Sequence, residues 1–328
     1  MHKVAASAAT QRAVVDSPFA AGQKNIWTQI LDQNKEAAKK SGDAGRPDAV
    51  LFVVGSRGSG KTTLVSRFLY PDKADVPKPT EGMEYNYARK THATNIERKD
   101  VAHIWEISGT RQFADEATEQ ENIFMGMRQV TTAVVLIVVD LSKPHEVLPT
   151  LEYWLSRVKA RTDATFGKLE KRGSKLPEQL RARSKKVFGA THEDSAGPIA
   201  HSGVTVVIAA TKYDAFKSAD TELKKVMSRT LRFLAHTNAA ALFYLGGLRG
   251  GSPSASAANL DAASTDDPAT DRAALNQFRA YLNHLIFTGA DKKFPARLNL
   301  ETDHLKPILC PIGSDRLQAI GVPRGGGG

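Results

Sequence analysis

The sequence predicts an α/β fold with a mainly parallel sheet and flanking helices, on three observations. A glycine-rich loop, Gly55-Ser56-Arg57-Gly58-Ser59-Gly60-Lys61-Thr62, follows the apolar run 49–54 and opens a helix-like run over 63–69. Two unbroken β-branched runs, 132–141 and 204–210, have the pattern of strands buried on both faces. Helical patterns separate these strands, and that alternation favours a parallel sheet with helices on its faces.

The loop is the most specific of the three. It reads GxxxxGKT in the strand–loop–helix setting that a phosphate-binding loop requires. Glycines at Gly55, Gly58 and Gly60 let the backbone curl around Ser59 so that N–H groups point at phosphate oxygens. The start of the following helix, with Thr62 and Thr63, adds its positive dipole end. Lys61 would reach the β- and γ-phosphates, and the Thr62 hydroxyl would hold Mg²⁺. The core is therefore expected to be a P-loop NTPase.

In chain order, residues 1–22 read as an irregular tail. Residues 23–44 hold an amphipathic helix with Ile26, Trp27, Ile30 and Leu31 at helical spacing. That helix either packs on its own domain or docks a partner through Trp27, a residue type enriched at interface hot spots. The nucleotide-binding domain is expected over 45–290. Pro71, Pro77 and Pro79 mark a loop, 84–93 suits an edge strand carrying Tyr85 and Tyr87, and 101–107 is a further strand. Helices are expected near 120–128, 146–161, 221–238 and 272–287, with a last strand at 241–245. Two insertions interrupt the pattern: a basic one over 166–202 and a Ser/Ala/Asp-rich one over 250–271. The C-terminal extension, 291–328, carries prolines, glycines and short apolar pieces, and is expected to wrap the domain surface.

Composition narrows the function classes. Of the 328 residues 41% are apolar, enough for a sizeable core. The single cysteine, Cys310, can form neither an intrachain disulfide nor a zinc constellation, which fits a reducing compartment. The longest apolar run, 133–139, is too short to cross a bilayer, so no membrane insertion is expected. The N-terminus lacks the continuous apolar core of a secretory signal; it reads as a cytosolic tail or a transit peptide. The net charge of +10 is concentrated over 157–186, with eleven Lys and Arg against three Asp and Glu. Such a cluster is a solvated helical face or a docking surface for an acidic protein. No aromatic stacking pattern is interleaved with the charges as a single-strand binder would need, so nucleic acid is not expected.

Thr211-Lys212-Tyr213-Asp214 follows the second buried run and resembles the guanine-specifying NKxD. The Asp214 carboxylate can accept from guanine N1–H and the 2-amino group, donors adenine lacks, and the stem of Lys212 can cover the base. Thr211 replaces the usual Asn, and without an amide to brace neighbouring loops weaker guanine binding is expected. Glu106-Ile107-Ser108-Gly109 stands where DxxG would be. The Gly109 N–H would meet a γ-phosphate, and Glu106 would support Mg²⁺ through water on a side chain one methylene longer than Asp. Thr110 stands where a water-orienting Gln is common and cannot position the attacking water in the same way. Thr80, after Pro79, is either the switch threonine that contacts Mg²⁺ or a turn residue. The expected ligand is a guanine nucleotide, GTP or GDP, with Mg²⁺; hydrolysis is expected to be slow or absent, and no residue is assigned a catalytic role.

Lys78-Pro79-Thr80, Glu84-Tyr85-Asn86-Tyr87, His103-Ile104-Trp105-Glu106-Ile107, Leu176-Pro177-Glu178-Gln179-Leu180-Arg181, Lys212-Tyr213-Asp214, Thr230-Leu231-Arg232-Phe233-Leu234-Ala235-His236 and Asp315-Arg316-Leu317-Gln318-Ala319-Ile320-Gly321 resemble the light intermediate chains of cytoplasmic dynein, in particular those of the second, ciliary form. The resemblance runs from about 48 to 322. It implies a small-GTPase-like fold in a non-motor subunit that binds and stabilises the dynein heavy chain beside other dynein subunits. It also implies work with the intraflagellar transport machinery in retrograde transport, and residence in the cytoplasm, cytoskeleton, cilium or flagellum and basal body. Trp27 and Trp154 are the expected heavy-chain contacts. The competing expectation is a regulatory GTPase with its own hydrolysis cycle.

Overall fold

The structure, a computed structural model, describes residues 47–71, 75, 77–91, 99–120, 123–248, 268–295, 298 and 300–321. Its elements belong to the unit Asp48–Gly328. The expected helix at 23–44, Trp27, and most of the 250–271 insertion lie outside the described residues.

Strand β1, Ala49–Gly55, is buried along its whole length. It pairs in parallel with β3, Lys99–Ile107, on one side and with β4, Ala133–Asp140, on the other. Strands β5, Thr205–Thr211, and β6, Ala241–Leu245, continue the parallel sheet beyond β4. Antiparallel strands close the two ends, β2, Met83–Thr91, against β3 and the two-residue β7, Leu309–Cys310, against β6. The order is β2-β3-β1-β4-β5-β6-β7.

Side chains alternate across each central strand, so one run of apolar residues feeds two cores. Val50, Phe52, Val54, Val135 and Ile137 meet Leu151, Trp154 and Phe166 of α3, Pro144–Lys171, and Leu231 of α6, Thr221–Thr237. On the opposite face Leu51, Val53, Val134 and Leu136 meet Leu64 and Phe68 of α1, Lys61–Leu69, and Phe278 and Leu282 of α7, Pro268–Asn283. Each such buried side chain is worth about 1.5–3 kcal/mol.

Three expectations are corrected. The helix read near 120–128 is instead α2, Arg111–Glu119. Gln120 is extended, and Met125 has φ 48°, which no right-handed helix tolerates. The buried residues of α2 are small, Ala114, Ala117 and Thr118, so its apolar signal is weak in the sequence. Helix α3 runs ten residues past the expected end at 161. Thr162, Thr165 and Phe166 are buried, and the basic residues occupy the other side. The stretch 166–202 therefore holds the end of α3, then α4, Leu176–Phe188, and a 3₁₀ turn, Glu193–Ala196. Finally, Trp154 is only 2% exposed and packs in the core, so it presents no face to a partner.

The C-terminal extension is built into the fold. Ile308 and Ile320 are buried, and Asp315 forms a bidentate pair with Arg232 of α6, both distances being 2.7 Å. Asp194 accepts from His236 Nε2 at 2.8 Å and from the Leu317 N–H at 2.9 Å, joining the 3₁₀ turn, α6 and the extension. Among the described residues no helix is long and apolar enough to cross a membrane.

Candidate functional site

Strand order reverses at β1, because the next two parallel strands lie on opposite sides of it. Ligand crevices in open α/β sheets form at the carboxyl end of the strands where this happens. The loop 55–62 lies there. Gly55 has φ 144°, and a Cβ on it would lie 2.1 Å from the Val138 carbonyl oxygen, so only glycine fits beside β4. Gly60 has φ 89° and caps the N-terminus of α1 in a left-handed conformation. The loop is therefore shaped by positions closed to other residues.

Lys61 is buried, and its Nζ donates to the carbonyls of Gly55 at 3.1 Å and Ser56 at 2.9 Å. This holds the ammonium against the first turn of the loop. Burial lowers its pKa to about 8, and the nearby Glu106 opposes that drop. Thr62 donates to Glu106 Oε1 at 2.7 Å, and its hydroxyl lies 3.3 Å from that of Thr80. Ser108 N–H donates to the Gly82 carbonyl at 2.7 Å, tying the loop after β3 to the loop that carries Thr80. Gly109 presses on the phosphate loop so closely that a Cβ would lie 2.2 Å from Arg57 N. Thr110 is exposed at the N-terminus of α2.

Glu106 is 1% exposed, and its Oε2 is buried without a hydrogen-bond partner. Burial raises its pKa, with Thr62 and Lys61 opposing. Ser59 Oγ is likewise buried without a partner. Thr62, Thr80 and Glu106 thus bring together an all-oxygen donor set of the kind a hard divalent cation takes, next to a glycine cradle suited to phosphate. The residues present fit a magnesium nucleotide.

On the base side Thr211 makes a brace of its own through its hydroxyl. Its hydroxyl lies 2.5 Å from the Ser59 carbonyl and 3.1 Å from that of Val139, so it braces the phosphate loop against β4 without an amide. Lys212 has φ 58° and caps the short helix α5, Tyr213–Phe216, and its Nζ donates to Asp140 Oδ2 at 2.5 Å. Asp214 Oδ1 accepts from the Gly247 N–H at 3.2 Å. Asp140 and Gly247 did not stand out in the sequence. Asp140 ends a buried strand, where a polar residue is an ordinary terminus, and Gly247 belongs to no motif. Gly55, Gly58, Ser59, Gly60, Lys61, Thr62 and Thr63 occupy one loop and helix start, with Thr80, Glu106 and Gly109 beside them. Lys212 and Asp214 lie across the sheet end, linked to the loop through Thr211.

A family model, Ras of Complex, Roc, domain of DAPkinase, matches residues 50–166. Cytoplasmic dynein 2 light intermediate chain 1 of Rattus norvegicus is 33% identical over 273 residues, 83% of this chain and 68% of that protein. Its counterpart in Mus musculus is 32% identical over 304 residues, 92% of this chain and 76% of that protein. That of Bos taurus is 30% identical over 292 residues, 89% and 73% respectively. Among solved structures, the crystal structure of the dynein light intermediate chain's conserved domain superposes with a TM-score of 0.55 at 14% identity. It covers 85% of this chain and 86% of that one, a likeness of fold.

Proposed function

Because the chain belongs to the cytoplasmic dynein 2 light intermediate chain family, we propose that it is a non-catalytic subunit of the dynein that drives retrograde intraflagellar transport. In this reading it binds and stabilises the heavy chain, works beside the other dynein subunits and the transport machinery, and is required for cilium or flagellum assembly. Its places are the cytoplasm, the cytoskeleton, and the cilium or flagellum with its basal body. A Ras-like domain serves here as a scaffold that holds a guanine nucleotide, GTP or GDP.

The roles follow from position. The N–H groups of the loop 55–62 and the start of α1 would cradle the phosphates, with Lys61 on the β- and γ-phosphates and Gly109 at the γ-phosphate. Thr62, Thr80 and Glu106 would hold Mg²⁺, which when bound neutralises phosphate charge. Lys212 would cover the base and Asp214 would accept from it.

One observation carries the scaffold reading. The binding parts are braced to one another through Thr211 and Ser59, while the position that would orient water is Thr110, exposed at a helix start. One observation favours the rival reading, a regulatory GTPase: Thr80 stands 3.3 Å from Thr62, as a switch threonine would.

Lys61→Ala separates the two. The scaffold reading expects the purified chain to carry guanine nucleotide and release phosphate slowly, and the variant to capture the heavy chain and support retrograde transport. Multiple-turnover phosphate release at the rate of a stimulated GTPase, abolished in the variant together with transport, would establish the rival.

A further inference from the structure

Strands β2 and β3 are antiparallel, and their register sets Glu84 directly opposite Glu106. Opposed residues on such a pair share a face of the sheet, and like charges placed so repel. Yet the two carboxylates are joined through hydroxyls. Thr80 Oγ1 donates to Glu84 Oε2 at 2.9 Å, the Thr80 and Thr62 hydroxyls are 3.3 Å apart, and Thr62 donates to Glu106 Oε1 at 2.7 Å. Four oxygen-bearing side chains from four segments thus form a continuous arc from the exposed edge of β2 to the buried end of β3.

Charge in this arc does not balance. The Nζ of Lys61 is directed at the carbonyls of Gly55 and Ser56. Among the described residues, Glu84 Oε1 accepts from the Asn86 amide alone, at 3.4 Å. At the inner end, Glu106 is 1% exposed with Oε2 buried and unpartnered. A buried carboxylate oxygen without a donor is costly unless a cation or ordered water meets it.

We propose that Glu84 is a fourth ligand residue of the divalent-cation site, so that two carboxylates and two threonine hydroxyls hold the ion. This rests on the reading of Thr62, Thr80 and Glu106 as a cation site and extends it. Oxygen-only ligands select a hard ion, Mg²⁺ or Mn²⁺. The second carboxylate has a specific consequence. A γ-phosphate oxygen is not needed to complete the ligand set, so the ion stays with the diphosphate complex as firmly as with the triphosphate complex. The loop that carries Thr80 is then held in place in both nucleotide states.

The test uses the full chain and Mn²⁺ as the probe, with free Mn²⁺ read by electron paramagnetic resonance in saturating GDP and in saturating GTPγS. Glu84→Gln should raise the Mn²⁺ dissociation constant roughly 10- to 100-fold in both complexes, as loss of a ligand or its supporting partner does. Glu84→Asp should give a smaller loss. Glu81→Gln, the same charge change at an exposed neighbour, should leave it unchanged. GDP affinity at saturating Mn²⁺ should be equal in parent and Glu84→Gln, and an unchanged melting temperature shows that the exposed substitution leaves the fold intact. Mn²⁺ binding by Glu84→Gln equal to that of the parent, or an equal loss in Glu81→Gln, overturns the proposal while leaving the three-residue site standing. Unaltered Mn²⁺ binding in Glu106→Gln overturns both.

Discussion

Removing the Asp315 carboxylate gives the sharpest test of how the C-terminal extension is held. Arg232 and Asp315 are 6% and 5% exposed, and their two 2.7 Å bonds join α6 to the chain just beyond β7. In Asp315→Ala the guanidinium is left buried without a counter-charge. Breaking a buried pair from one side costs about 3–5 kcal/mol. At roughly 2–4 °C per kcal/mol this corresponds to a fall in melting temperature of about 6–20 °C. The intact pair is worth much less than that, because both charges were desolvated to make it. Arg232→Met with Asp315→Leu should therefore come out near neutral. The assay is urea denaturation of the three proteins, with the reactivity of Cys310 as a local readout. That thiol is 4% exposed, 3.8 Å from Asp315 Oδ2, and pushed up to about 12 chiefly by burial. It should react with a maleimide far faster in Asp315→Ala. A stability loss below about 1 kcal/mol, the scale of an exposed pair, with Cys310 as unreactive as before, would refute the reasoning.

Three further outcomes follow from the site. The Lys61 pKa of about 8 should rise when phosphate arrives, so nucleotide binding takes up protons near pH 8 and weakens as pH rises beyond it; calorimetry in two buffers of different ionisation enthalpy reads this, and zero uptake contradicts it. Glu106 has a raised pKa in the folded chain, so between its unfolded and folded values the folded chain holds a proton the unfolded chain has lost. Its contribution to stability therefore falls as pH climbs through that window. Glu106→Gln should melt above the parent at pH 7.5 without nucleotide, with the gap closing toward pH 4.5, and should lose stabilisation by Mg²⁺; a lower melting temperature contradicts this. Thr211→Val removes the hydroxyl at the Ser59 carbonyl and should cost about 1–3 kcal/mol together with weaker guanine nucleotide binding, whereas unchanged values would show that the brace is idle.

The sheet was legible because buried parallel strands announce themselves as long β-branched runs, and β1, β4 and β5 are of that kind. The phosphate loop was legible because its glycines answer a steric demand that no other residue meets. What stayed hidden depended on contacts distant in sequence. Thr211 reaches a carbonyl 152 residues away, and only the pairing of β5 beside β4 brings it there. The length of α3 was obscured because its second half buries two threonines, which carry little apolar signal, on the face opposite the basic residues. Trp154 shows the limit of reading residue type alone, since an aromatic suited to an interface can fill a core equally well. Glu84 looked like the polar residue of an edge strand until the register set it against Glu106.

The two-residue strand β7 also makes completion of the sheet depend on a segment that is synthesised late. It borders β6 and supplies the last rung of the sheet from residues 309 and 310. A nascent chain that has not yet emerged past Cys310 shows β6 as a bare edge and Arg232 without its carboxylate, features that invite aggregation and chaperone capture. Every strand of the nucleotide site is made well before that point, yet the sheet cannot close until the ribosome has delivered this segment. A chain truncated before residue 309 is therefore expected to carry the whole phosphate loop and still leave the outer edge of β6 unpaired.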